Sequence, residues 1–235
     1  MSRIGVVGEY DPTHLTHPAT ADVLGHSAMR LGTQVDVDWV STADIGNAGE
    51  TLAGFDGLLI APGSPYRSLE GALAAIEHAR SGGVPLLGTC GGLQHVVVEL
   101  ARNVLGVADA QHAEYDPDAS TLFVTPLSCS LAGQQMSVDV QKGSRAGDAY
   151  GTASSNERYY CNFGLNPDRV DELVAGGLIV SGTDQDGEVR IVELADHPFF
   201  VATLFVPQTS STLVRPHPLV TAFVAAARAH GDDTP

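Results

Sequence analysis

Hydrophobic and polar positions along the chain alternate between two periods. Short apolar runs at Arg3–Gly8 (RIGVVG), Gly57–Ala61 (GLLIA) and Val84–Gly88 read as buried strands, with Gly8, Pro62-Gly63 and Gly88 as their stops. Gln34–Val40 (QVDVDWV) alternates strictly, which predicts a half-buried strand near a sheet edge. Between these runs lie helical stretches at Thr16–Leu31, Leu69–Arg80 and Leu93–Val104. Thr16 is the expected cap of the first, with Pro18 in its first turn, and Gly82-Gly83 ends the second. Strands alternating with helices predict an α/β fold, a parallel sheet covered on both faces.

The rhythm changes past Gly106. Leu122–Leu127 and Met136–Val140 read as strands with no helix between them, and the stretch Gly143–Asn156, rich in Gly, Ser and Asn, reads as a loop. Asn166 is placed to cap a short helix over Pro167–Ala175. Leu178–Thr183 and Glu188–Glu193 flank Asp184–Gly187, whose Asp-Gly pair signals a hairpin. A strand over Phe199–Phe205 and an amphipathic helix over Pro218–His230 follow. With no repeat and no linker, residues 1–235 read as one domain with a small antiparallel appendage.

Composition narrows the classes of function. Hydrophobic residues make up 43% of the 235 and charged ones 17%, which excludes a disordered tail, a coiled coil and a collagen-like chain. No apolar run approaches membrane-spanning length, and no basic segment precedes an apolar one at the start. Acidic residues outnumber basic ones 28 to 12, a formal charge of −16, and no basic run interrupts them. Nucleic acid and anionic membranes are therefore not expected as partners. Three widely spaced cysteines, Cys90, Cys129 and Cys161, fit neither a disulfide framework nor a paired-Cys zinc site and agree with a reducing cytoplasm. Without a P-loop, a GxGxxG or an HExxH pattern, no cofactor and no metal are expected.

The sharpest chemical feature is Gly88-Thr89-Cys90-Gly91-Gly92, set between a buried strand and a helix. A nucleophile on such a tight turn needs glycine neighbours, because adjacent Cβ atoms would clash. The helix N-terminus that follows favours a thiolate. The amides of Gly91 and Gly63 are the expected oxyanion donors, Gly63 lying in the loop after the Gly57–Ala61 strand.

The segment Gly88–Gly106 (GTCGGLQHVVVELARNVLG) resembles the nucleophile segment of the class I glutamine amidotransferase domain of CTP synthase, with its Gly-x-Cys-x-Gly-x-Gln elbow. Ala61-Pro62-Gly63 resembles the oxyanion loop of that family, His112–Asp116 its glutamine-pocket loop, and Glu157-Arg158 through Asn166-Pro167 its arginine-rich segment. Glu193–Val206 resembles the strand that delivers the catalytic histidine. The likeness spans nearly the whole chain and implies a flavodoxin-like sheet. The chain is also similar to a smaller group of proteins related to the CTP synthase C-terminal region, some of them selenoproteins. That likeness lies in APGSPYRSLEGAL, GTCGG, HAE and PLSCSLAG through YYCNFGLNP.

Departures from the family bear on its activity. Where the family reads Phe-His-Pro-Glu, this chain reads Phe205-Val206-Pro207-Gln208, so the resemblance implies a triad left with Cys90 alone. Gln94 and Glu114 match positions that hold glutamine, Glu114 by facing its ammonium group. The arginine that would pair with the α-carboxylate aligns with Asn162, in the segment Tyr159-Tyr160-Cys161-Asn162. Tyr160 is counted with the pocket.

His112 and Glu9 are the candidate replacements for the missing base, and His95 a weaker one. His14 and His17 read as capping or flanking a helix, or less readily as metal ligands, and the loop residues Arg67 and Arg145 as surface salt bridges, or less readily as partners of a bound carboxylate. Cys161 falls where it could approach Cys90, which would introduce thiol chemistry; the alternative is a small apolar strand residue. Cys129 reads as structural.

Three readings remain open. One is a diverged enzyme in which Cys90 attacks a small amine-bearing, glutamine-like substrate. The second is a non-catalytic binding or regulatory module. The third is a glutaminase subunit working with a separate synthetase, with homo-oligomerisation also open.

Overall fold

The apolar runs become the middle of one large sheet. The computed structural model describes residues 1–233, so the last two positions of the expected 1–235 domain lie outside the described residues. The first half comprises β1 (Ser2–Val7), α1 (Thr16–Arg30), β2 (Val35–Val40), α2 (Ala48–Thr51), β3 (Gly57–Ile60), α3 (Leu69–Gly82), β4 (Leu86–Thr89) and α4 (Gly91–Asn103). The second half opens with β5 (Gln111–His112), β6 (Leu122–Pro126), β7 (Gln135–Val140), α5 (Arg145–Tyr150), β8 (Ser154–Arg158) and β9 (Phe163–Leu165). It continues with α6 (Val170–Ala175), β10 (Leu178–Thr183), β11 (Val189–Leu194), β12 (Phe200–Thr203) and α7 (Pro218–Asp233).

Strands β2, β1, β3, β4 and β12 lie side by side and parallel. β2 alternates between half-buried and exposed residues because it is the edge, whereas β3 and β4 are buried throughout. Helix α1 packs on α7, and α3 on α4, giving a helical layer on each face of the sheet. β1 is flanked by β2 on one side and β3 on the other, so the chain leaves β1 and β3 in opposite directions. A crevice opens at such a reversal, outside the carboxyl ends of the strands. The loops after β1 and β3 and the turn after β4 all converge there.

The antiparallel strands extend the parallel sheet: β11 pairs antiparallel with β12 and continues through β10, β7 and β8, making one nine-stranded sheet. A separate three-stranded sheet joins β5, β6 and β9. The expected loop Gly143–Asn156 contains α5 and the start of β8. Local caps explain it: Ser144 Oγ accepts from the Gly147 amide at 2.9 Å, and Gly151 closes the helix at φ 65°. The Glu193 carboxylate accepts from the first two amides, of Arg145 at 3.0 Å and Ala146 at 3.2 Å. That tertiary anchor leaves no mark in the segment's own sequence. The expected helix over Pro167–Ala175 begins instead as a 3-10 turn, Pro167–Arg169, capped by Asn166.

Gly91 is the tightest point between two of the converging loops, since a Cβ there would run into the carbonyl oxygen of Gly63. Gly91→Ala is therefore expected to lower unfolding free energy by about 1–3 kcal/mol, as overpacking does. Chemical denaturation of the two proteins checks this.

Candidate active site

Cys90 occupies the step between β4 and α4. Its backbone, at φ 53° and ψ −108°, is the only non-glycine with positive φ among the described residues. Such a conformation is strained and persists only where its surroundings hold it. Here the Cys90 amide donates to Thr203 O at 2.8 Å, and Gln208 Nε2 donates to Thr89 Oγ1 at 2.9 Å. The thiol stands at the N-cap of a thirteen-residue helix, facing a cavity of about 120 Å³. The expected Gly63, Gln94, Glu114, Tyr160 and Asn162 all line that cavity.

Polar groups around the cavity are mostly committed. His112 Nδ1 accepts from the Glu114 amide at 3.0 Å, which leaves Nε2–H to donate to Gln94 Oε1 at 3.0 Å. Gln94 Nε2 donates in turn to Phe163 O at 2.9 Å, so Gln94 ties the wall together with both ends. Glu114 is different. Its Oε2 atom is buried and has no hydrogen-bond partner. A buried carboxylate oxygen without a donor is costly, and a bound cation or N–H donor is what would satisfy it.

The expected bases are placed elsewhere. Both nitrogens of the fully buried His112 are used, and burial, followed by the neighbouring His95, pushes it down to about 3. Its two bonds brace Gln94 and the Glu114 backbone. His95 donates Nδ1–H to Gly91 O at 2.7 Å and accepts from Tyr115 at 2.9 Å. Burial holds it at about 4. Glu9 lines a neighbouring cavity of about 460 Å³, not that of Cys90. There it accepts from Thr42 Oγ1 at 2.6 Å and the Thr42 amide at 3.0 Å, fastening two loops. Arg67 lines that neighbouring cavity too, and Arg145 bonds the Ala195 and His197 carbonyls away from both.

Two histidines of the β1–α1 loop gain importance. His14 lines the Cys90 cavity, as does Thr16, whose Oγ1 is 2.8 Å from His14 Nδ1. Burial, then His17, lowers the His14 pKa. His17 Nδ1 accepts from the Asp11 amide, so Nε2–H donates to Pro62 O at 3.0 Å. In a trans peptide the carbonyl and the following N–H point oppositely, so this bond directs the Gly63 N–H away from His17. The available signal was position alone: both follow β1 at the carboxyl edge of the sheet. Among the described residues no group of three or more His, Cys, Asp or Glu is placed to share a metal ion.

Cys161 also lines the cavity, and its sulfur meets that of Cys90. The two Cα atoms are 6.2 Å apart. Cys161 Sγ lies 2.9 Å from Leu204 O, at the exit of β12. Two residues on, Val206 is fully buried, its amide donating to Arg158 O at 2.8 Å. The segment carrying Cys161 is thus laid along the strand end that carries Val206.

The family model for glutamine amidotransferase class I matches residues 20–226. The chain belongs to that family. Amidotransferase relatives include the CTP synthase of Dehalococcoides mccartyi, 35% identical over 96% of this chain and 44% of the relative. The CTP synthase of Staphylococcus aureus is 34% identical over 95% of this chain and 44% of its own length. The chain thus spans less than half the length of these relatives. Among solved structures, the glutaminase domain of Trypanosoma brucei CTPS with bound acivicin superposes with a TM-score of 0.90. It is 27% identical, with 97% of this chain and 94% of that one covered. A glutamine amidotransferase of Thermotoga maritima shares the fold at a TM-score of 0.61 and 9% identity, with 99% of each chain covered. No helix of the described amidotransferase residues is long and apolar enough to cross a membrane.

The two fully buried histidines, His95 and His112, make the stability of this amidotransferase domain pH-dependent. Between about pH 6.5 and their depressed values, the unfolded chain binds protons that folded His95 and His112 refuse. Stability therefore falls on acidification through that window, His95 alone contributing roughly 2 kcal/mol at pH 5. Urea midpoints at pH 7 and pH 5 measure the fall, and His95→Gln is expected to remove the His95 share and leave that of His112.

Proposed function

We propose that this amidotransferase domain holds a small amine-bearing, glutamine-like molecule against Cys90 and acts on it through that sulfur, without ordinary glutamine hydrolysis. The observation that carries the reading is the buried, unpartnered Oε2 of Glu114, a residue that lines the same cavity as the elbow cysteine. A carboxylate there recognises an ammonium group by a charge-assisted hydrogen bond. Gly63, whose N–H is turned from His17, and Gly91, next to the nucleophile, are the oxyanion donors of this reading.

The absence of ordinary hydrolysis follows from the apolar, buried Val206 where the family carries its histidine. Gln208 hydrogen-bonds Thr89 and supplies no charge. Removing a general base costs typically 10²–10⁴-fold in rate. His14 is the histidine that lines the Cys90 cavity, and in this reading it moves the proton. His112, Gln94 and Glu9 are positioning residues, while Tyr160 and Asn162 close the pocket. A synthetase-type partner or a second copy of this chain would use the product, a reading supported by the likeness to CTP synthases.

Buried Val206 favours one other reading, a binding module without turnover. The two are separated by reacting the reduced protein with acivicin, the ligand of the trypanosomal structure, and titrating glutamine by calorimetry. We expect a covalent adduct on Cys90, protection by glutamine, and binding weakened about 10–100-fold in Glu114→Gln. Cys90→Ser should bind glutamine with little change and form no adduct. Binding without any Cys90 adduct supports the module, and no binding at all overturns both readings.

A further inference from the structure

We propose that Cys90 and Cys161 form a dithiol–disulfide pair that exchanges with small disulfides and thiols, a second chemistry in the pocket that needs no histidine. Four observations converge on it. The sulfurs touch, and the Cα separation of 6.2 Å lies within the span that a disulfide bridges. Both cysteines line one cavity, so a small reagent entering it meets both. Cys90 caps a helix N-terminus, where thiolate is favoured, while the Cys161 thiol has Leu204 O as a hydrogen-bond acceptor at 2.9 Å. Finally, Val206 leaves the strand end beside Cys161 without a proton carrier. Amide hydrolysis needs one; thiol–disulfide exchange proceeds by thiolate attack and thiolate departure.

The steps balance with a small disulfide as oxidant. The Cys90 thiolate attacks one sulfur of R–S–S–R, forming a Cys90–S–S–R bond and releasing RS⁻. Cys161 sulfur then attacks Cys90 Sγ, the Cys90–S–S–R bond breaks, and the second RS⁻ departs. The Cys161 proton and one from water or the original Cys90 thiol convert both thiolates to RSH. The protein dithiol is oxidised by two electrons and the small disulfide is reduced to two thiols. A small dithiol reverses the sequence. While the bond is closed, the sulfur of Cys90 has no lone nucleophilic form, so the exchange also switches the site off. Cys129 is exposed and lies outside the cavity, so it takes no part.

The test uses the full chain without any amine ligand, so its result is separate from that of the proposed function. Protein is equilibrated in graded mixtures of reduced and oxidised dithiothreitol, acid-quenched, alkylated and read by mass spectrometry. We expect loss of two alkylatable thiols in one concerted step, with a Cys90–Cys161 linked peptide and Cys129 alkylated throughout. In a second arm, reduced protein is mixed with bis(2-hydroxyethyl) disulfide, which carries no amine. Cys161→Ser should accumulate the Cys90 mixed disulfide, while wild type passes through it to the internal bond. Circular dichroism checks that the variant is folded, and the equilibrium arm needs no variant. Full alkylation of Cys90 and Cys161 under the most oxidising mixture overturns the proposal. Equal accumulation of the mixed disulfide in both proteins overturns it as well.

Discussion

A single strained residue organises this site. Cys90 sits at φ 53°, and every neighbour that permits this is specified. Its own amide is pinned to β12 through Thr203. Gly91 has no side chain because the Gly63 carbonyl occupies that space, and Gly92 likewise lies against the backbone of Ile60. Three parallel strands, β3, β4 and β12, must therefore be in register before the sulfur can stand at the helix N-terminus. In return the elbow brings the loops after β1 and β3 against it, and those loops build the cavity. The buried core of the sheet is in this sense the support of one sulfur atom.

Around that sulfur, electrostatics divide the residues into those that hold and those that face the cavity. His95 and His112 are fully buried and use their ring nitrogens in internal hydrogen bonds, so they brace Gly91, Gln94 and Glu114. Glu9 is likewise spent, on Thr42. Glu114, whose Oε2 has no hydrogen-bond partner, lines the cavity together with His14 and the two touching sulfurs. An acidic side chain and a pair of sulfurs thus line one small cavity.

Much of the parallel half was legible because strand and helix periods are local, and the glycines around Cys90 announce the elbow on their own. The class I resemblance came from contiguous motifs, and the family model and the CTP synthase relatives agree with it. The rest depended on contacts distant in sequence. Helix α5 is anchored by Glu193, more than forty residues away, and reads locally as a loop. The direction of β11 and β10 as continuations of the main sheet depends on which edge of β12 is free. The roles of His112 and His95 turn on which atoms accept and donate, and no spacing encodes that. His14 and Cys161 reach the same cavity from opposite halves of the chain, so only the folded arrangement shows them together.

In the proposed reading the pocket keeps the elbow sulfur and an ammonium-recognising carboxylate but has lost the proton carrier of ordinary hydrolysis. Ammonia release from glutamine by the fully reduced protein, with Cys90→Ser as the blank, tests this most directly. The expected result is no release above that blank at saturating glutamine. Ammonia release that disappears in Cys90→Ser would contradict it, and would return the domain to the working glutaminases.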